Sequence, residues 1–280
     1  MGPLVSTEWL AGSLGAPDLV VLDATYYLPT EGKNGRAEFA AAHIPGARYF
    51  DINEVADPDT DLPHMVPSAG RFAKLVGAMG VSNASRIVFY DQIGTTRAPR
   101  GWWMFKLFGH EQVAVLDGGL PKWRADGHPV EAGEPAAPTP ASFVPDLRAE
   151  RLAGIGDVKR VVRQGGGGAL ILDARARGRF DGTAPEPRPG LPSGHMPGAA
   201  NLPATELMGP DGAFLPPDAL RERFAAAGVD GTRPVITSCG TGVTATVLAL
   251  GLERAGFPEA AVYDGSWTEW ASRPETPKVP

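Results

Sequence analysis

Short runs of β-branched and aliphatic residues alternate along this chain with stretches whose apolar positions recur every three or four residues. In the first half, residues 19–22, 86–90 and 113–116 read as buried strands, and 70–79 and 99–108 carry helical spacing. In the second half, residues 169–172, 234–237 and 260–263 take the strand role, with 218–227 and 243–255 as helices. Strands that alternate with helices predict an α/β fold, a mainly parallel central sheet flanked by helices. Functional loops are then expected at the carboxyl ends of the strands.

The pattern occurs twice. Leu22-Asp23-Ala24 returns as Leu172-Asp173-Ala174, and His43-Ile44-Pro45-Gly46-Ala47 returns as His195-Met196-Pro197-Gly198-Ala199. Gly80-Val81 returns as Gly228-Val229, and Asp117-Gly118 with Trp123 as Asp264-Gly265 with Trp270. Matches in one order at a spacing of about 150 residues indicate duplication of a domain, since solenoid repeats are far shorter. A proline-rich stretch, residues 131–140, lies between the copies. The expected domains are therefore 1–135 and 151–280, joined by a linker at 136–150.

Composition supports this division. At 280 residues the chain exceeds the usual size of one domain, and 43% hydrophobic residues suffice for two cores. A formal net charge of −6 argues against nucleic acid as a partner, because phosphate binding needs a dominant positive field. No apolar run approaches a membrane span, and the first ten residues lack a basic segment followed by a long apolar one. One cysteine excludes an internal disulfide. A cytoplasmic protein without a membrane partner is expected.

That cysteine, Cys239, directly follows the strand pattern 234–237 and precedes a helical pattern. A strand that ends at cysteine, turns through Gly240 and Gly242 and enters a helix aims backbone N–H groups and the positive helix end at the sulfur. Such a turn stabilises negative charge on that atom. The same place in the first copy is held by Asp91, within Tyr90-Asp91-Gln92-Ile93-Gly94-Thr95-Thr96-Arg97. Only the second half can run cysteine chemistry, which leaves the first as scaffold. A cluster of cations against the acidic balance of the chain, Arg175, Arg177, Arg179 and Arg188, offers a partner for an anionic substrate; guanidinium grips a carboxylate bidentately.

These residues resemble the two-domain rhodanese-type sulfurtransferases over nearly the whole chain. The resemblance is carried by the tandem copies, Ala98-Pro99-Arg100 with Trp102-Trp103-Met104, Leu116-Asp117-Gly118-Gly119, and Tyr263-Asp264-Gly265-Ser266-Trp267. The loop Cys239-Gly240-Thr241-Gly242-Val243-Thr244 is most similar to the 3-mercaptopyruvate-using version, since thiosulfate-specific relatives usually carry basic residues directly after the cysteine. The resemblance implies two rhodanese-like domains and a Cys239 persulfide formed without metal or organic cofactor. It implies that N–H groups from Gly240 to Thr244 hold the anionic sulfur, with Thr241 and Thr244 as hydroxyl donors or helix caps. Gly178-Arg179-Phe180 and Glu186-Pro187-Arg188 match segments whose arginines bind substrate, which assigns Arg179 and Arg188 to the donor carboxylate and leaves Arg175 and Arg177 structural or peripheral.

His64, in Leu62-Pro63-His64-Met65, matches a family segment that reaches the active site from the first domain, and implies a proton relay through Thr241. Relatives often carry an acid where this chain has Asn53, so Asp57 or Asp61 would have to replace it. His43 and His195 occupy the same slot in both copies and read as structural; His110 reads as a helix-end residue and His128 as a turn residue. Of the tryptophans, only Trp267 is expected near the pocket.

The same fold hosts cysteine phosphatases, whose loop needs arginine six positions after the nucleophile; here that position is Ala245. The expected activity is transfer of sulfane sulfur from 3-mercaptopyruvate through Cys239 to cyanide, a thiol or a dithiol protein. The alternatives are a thiosulfate:cyanide sulfurtransferase and a non-catalytic persulfide carrier.

Overall fold

The computed structural model describes residues 1–28 and 30–280. They form two compact units: Met1–Pro58 with Val66–Arg148 and Gly209–Phe214, and Asp59–Met65 with Ala149–Met208 and Leu215–Pro280. Each unit thus takes a short segment from the other half of the sequence.

The first unit is built on a five-stranded parallel sheet. Its strands are β1 (Leu4–Val5), β2 (Leu19–Asp23), β3 (Arg48–Tyr49), β4 (Arg86–Tyr90) and β5 (Val113–Leu116), in the order β1-β5-β4-β2-β3. The second sheet, β6 (Leu152–Ala153), β7 (Leu170–Asp173), β8 (Ala200–Asn201), β9 (Val235–Ser238) and β10 (Ala261–Tyr263), repeats that order as β6-β10-β9-β7-β8 and is also parallel. The α/β class and the duplication are therefore as the pattern predicts. In both sheets the central strand carries the loop of interest: Asp91 follows β4, and Cys239 follows β9.

Register places an aspartate beside each of those loops. Asp23 pairs with Tyr90, and Asp173 pairs with Ser238, so both carboxylates stand at the carboxyl end of the sheet. The central strands are buried along their length because helices cover both faces of a parallel sheet. The helix Ala98–Leu107 is buried at every position, and Ala245–Ala255 at nine of its eleven, so neither shows a polar stripe. Trp123 and Trp270 fill equivalent core sites, and each satisfies its indole N–H on a backbone carbonyl, Pro129 O at 2.7 Å and Pro277 O at 2.8 Å.

The long elements lie within two residues of the positions their periodicity predicts. Two-residue edge strands such as β3 and β8 are too short to show alternation, and they are set by pairing alone. The segment that follows the proline-rich stretch is laid onto the first unit: Ala141 N–H donates to Gly77 O, Arg148 N–H to Leu107 O, and Phe143 packs among Phe72, Phe105 and His110. His43 and His195 are structural twins. Each directs Nδ1 to the carbonyl of a phenylalanine, Phe39 or Phe180, at 3.0 Å and stacks on the same ring. His110 directs Nε2 to Ser85 O, and its burial lowers its pKa; His128 lies against Trp123.

Candidate active site

The site in the second unit begins where β9 ends. Cys239 is buried, and the segment Gly240–Thr244 that follows is loop; the helix starts only at Ala245, two residues later than its apolar pattern suggests. Gly242 has φ +78°, a left-handed conformation that a β-carbon disfavours, and it lets the loop turn sharply between the strand and the helix. Val243 is buried, while Thr244 occupies the N-cap without a side-chain capping bond.

The loop is braced from the turn after β10. Ser266 Oγ accepts the Cys239 N–H at 3.0 Å, lies 4.0 Å from Cys239 Sγ, and is 2.8 Å from Tyr263 O. Its single proton serves either that carbonyl or the sulfur. Trp267 N–H donates to Cys239 O, and Thr268 binds Gly240 O through both N–H and Oγ1. Trp267 itself is core: its ring is fully buried, and its indole N–H is satisfied by Pro192 O.

Ser266 and His64 share a backbone peculiarity, φ +49° and +64°. Non-glycine residues held there cost roughly 1–3 kcal/mol and persist only where their surroundings enforce them. Ser266 takes the position that Gly119 holds in the first unit at φ +58°, so a hydroxyl stands where the fold prefers no side chain. Sequence reading passed over Ser266; the signal was Asp264-Gly265-Ser266 aligned with Asp117-Gly118-Gly119.

His64 belongs, with Asp59–Met65, to this second unit. Its Nδ1 lies 2.9 Å from Thr241 Oγ1, and both side chains are buried. The predicted relay pair is thereby brought together. Asn53 sits exposed on the short helix Ile52–Val55, where its backbone N–H binds the capping Asp51.

The cations separate into three kinds. Arg175 is fully buried and lies flat on the Trp267 ring, 4.5 Å from its centroid. It donates through Nε and Nη2 to Asp173, through Nη2 to Gly194 O and through Nη1 to Glu186, at 2.7–3.1 Å. Burial works against its charge, but Asp173 and Glu186 overcome that and raise its pKa. Arg177 is exposed and pairs with Glu206. Arg179 is partly buried, donates through Nε and Nη2 to Glu186, and presses on the loop: a β-carbon at Gly240 would come within 2.9 Å of its Nη2. Arg188 is partly buried and has no ion pair or hydrogen bond among the described residues. Arg179 is thus tied to the cysteine loop by contact, and Arg188 is the cation left with spare charge. Sequence reading also missed the role of Glu186, although it stands two residues before Arg188.

A buried thiol at a glycine-bent strand end, a hydroxyl–imidazole pair at the same loop and a guanidinium packed against Gly240 make a setting that can stabilise an anionic sulfur. A family model described as a rhodanese-like domain matches residues 6–126 and again 158–273. The 3-mercaptopyruvate sulfurtransferase of Homo sapiens is 41% identical over 280 residues, which span 97% of this chain and 93% of that one. The thiosulfate sulfurtransferase of Bos taurus is 43% identical over 282 residues, 98% and 94% of the two chains. The crystal structure of SseA from Escherichia coli, described as a 3-mercaptopyruvate sulfotransferase with the rhodanese fold, superposes with a TM-score of 0.86 at 35% identity. It covers 95% of this chain and 99% of its own.

Proposed function

This chain belongs to the rhodanese-like family and is a sulfurtransferase, and from that premise we propose that it moves sulfane sulfur from 3-mercaptopyruvate by way of Cys239. Overall identity to a thiosulfate enzyme and to a 3-mercaptopyruvate enzyme is about the same, so the site must decide the donor. The observation that carries the choice is the neutral loop Gly240–Thr244, against which Arg179 is already packed at Gly240. Thiosulfate is a dianion that favours cations on this loop, whereas one carboxylate needs one free guanidinium held apart from the sulfur.

In the proposed reaction the Cys239 thiolate attacks the donor sulfur while Arg188 and Arg179 hold the carboxylate. A new S–S bond forms, the donor C–S bond breaks, and its electron pair leaves on carbon as the enolate of pyruvate. His64 and Thr241 deliver the proton that turns this enolate into pyruvate and receive the proton of the donor thiol. The terminal sulfur of the persulfide is an anion, held by the N–H groups of Gly240 to Thr244 and by the Ser266 hydroxyl. An acceptor thiolate or cyanide then attacks that sulfur and releases the Cys239 thiolate. Acceptors in this reading are small thiols, cyanide and reduced dithiol proteins; nucleic acid and membrane have no part in it.

We further propose residues 1–135 as the inactive copy, 136–150 as the linker and 151–280 as the catalytic copy. No helix among the described residues is long and apolar enough to cross a membrane. A cytoplasmic setting, expected from the single cysteine, is part of the proposal and is checked by cell fractionation.

Intact mass after incubation with 3-mercaptopyruvate should rise by one sulfur in the native chain and stay unchanged in Cys239→Ala. A mutant that still gains sulfur would remove Cys239 as the nucleophile. Wild-type kcat/KM should favour 3-mercaptopyruvate over thiosulfate; the reverse order overturns the donor. Thr241→Val should lower kcat by about 100–10,000-fold and flatten its pH profile, the range for loss of general acid–base help.

A further inference from the structure

We propose that Glu186 is a positioning and specificity residue whose negative charge tunes the site for a monoanionic sulfur donor. The inference rests on the placement of Cys239, Arg179 and Arg188 in the reaction above. Glu186 is almost fully buried, with 2% of its side chain exposed, yet it has no apolar role: its two oxygens are spent on two arginines. Oε1 accepts from Arg175 Nη1 at 2.8 Å and from Arg179 Nε at 3.1 Å, and Oε2 accepts from Arg179 Nη2 at 2.6 Å.

The buried end of this chain of charges cannot move. Arg175 is held by Asp173, by Gly194 O and by the face of Trp267, all around one planar group. It fixes Glu186, and Glu186 fixes the edge of Arg179 that lies over Gly240. A buried carboxylate between two guanidinium groups is tolerated only while both partners stay in place, so its geometry is enforced from both sides.

Charge follows from the same contacts. Asp173 and Glu186 together cancel Arg175 and Arg179, so these four linked groups carry no net charge. Each negative charge a donor brings is therefore met by Glu186 with no spare charge among these four groups to offset it. A dianion brings twice the charge of a monoanion and is repelled more strongly where screening by water is weak. Glu186 therefore rejects the dianion by repulsion, while it places Arg179 for the monoanion. Were Glu186 only a staple of the fold, its loss would affect both donors alike.

The test compares kcat/KM for thiosulfate and for 3-mercaptopyruvate, with cyanide as the common acceptor, in wild type, Glu186→Gln and Glu186→Asp at low and high salt. Glutamine keeps the shape and removes the charge. The efficiency ratio of thiosulfate to 3-mercaptopyruvate should rise about tenfold in Glu186→Gln, through a lower KM for thiosulfate, and the rise should shrink in high salt. Glu186→Asp keeps the charge and should stay within about twofold of the wild-type ratio. Each ratio is taken on one preparation, so partial unfolding lowers both values and leaves it intact. An unchanged ratio in Glu186→Gln, or an equal shift in Glu186→Asp, overturns the proposal. A wild type that prefers thiosulfate overturns the donor assigned above, and the shift on substitution still reads Glu186 separately.

Discussion

The loop after β4 and the loop after β9 sit at the same strand end of two sheets with one strand order, and they solve the same electrostatic problem differently. In the first unit Asp91 is fully buried, and its carboxylate accepts the N–H groups of Ile93 at 3.0 Å, Arg97 at 2.7 Å and Ala98 at 2.8 Å. The turn after β5 closes over it, with Leu120 N–H on Asp91 O, just as Trp267 N–H binds Cys239 O in the second unit. The first loop is an anion cradle permanently filled by its own side chain. The second presents cysteine at that place, and Ser266 in place of Gly119. In the first loop three N–H groups converge on the residue at the strand end and make it a brace, while in the second that residue is a thiol with the Ser266 hydroxyl 4.0 Å from its sulfur.

A second contrast lies one strand away. Asp173 is matched by Arg175, whereas Asp23 has Thr25 in the corresponding position and is served by hydroxyl and amide donors from Thr25 and Gln92. Burial without a cation pushes the Asp23 pKa up to about 6, against the opposing pull of those hydrogen bonds.

The largest effect is expected from removing the acid that has a cation. Asp173→Asn leaves Arg175 buried with half its charge partners and should cost about 3–5 kcal/mol in denaturant unfolding; a loss below about 1 kcal/mol would show that the pair is not what holds this end of the sheet.

Asp23→Asn should act through pH. The folded pKa is raised, so the unfolded chain gives up this proton first. Wild type therefore loses stability as pH rises from about 4 to 6 and is level above that. Relative to wild type, the variant should gain about 2–3 kcal/mol across that window. A difference that does not vary with pH assigns the slope to other groups.

The smallest effect is expected at Ser266. Ser266→Gly relieves a left-handed residue and should raise stability by up to about 1 kcal/mol, while loss of the hydroxyl beside Cys239 lowers kcat by about tenfold. Ser266→Ala should show the same fall in kcat without the gain in stability. If both variants keep full kcat, the hydroxyl has no part in holding the sulfur.

Much of this was legible before any coordinates. The periodicity of 86–90 and 234–237 located both central strands, because fully buried parallel strands are long apolar runs with little else in them. The internal repeat set Asp91 against Cys239, and composition disfavoured nucleic acid. What stayed hidden involves residues whose role depends on a partner far along the chain. Glu186 is an ordinary acid in a loop until Arg175 and Arg179 are seen on either side of it. Ser266 is one more small polar residue until its φ and its distance to Cys239 are known. His64 lies 177 residues from Thr241, and nothing local in either segment encodes their contact.

The sequence by itself determined the duplicated α/β fold, the single cysteine and the arginine-rich run at 175–188, because strand and helix periods, a repeat and a residue inventory are one-dimensional properties. Tertiary structure alone decided which arginine is buried, which is neutralised and which keeps its charge. It also decided that a serine accepts backbone strain to stand beside the sulfur. Burial and hydrogen-bond geometry set those outcomes, and both come into being only when distant segments pack.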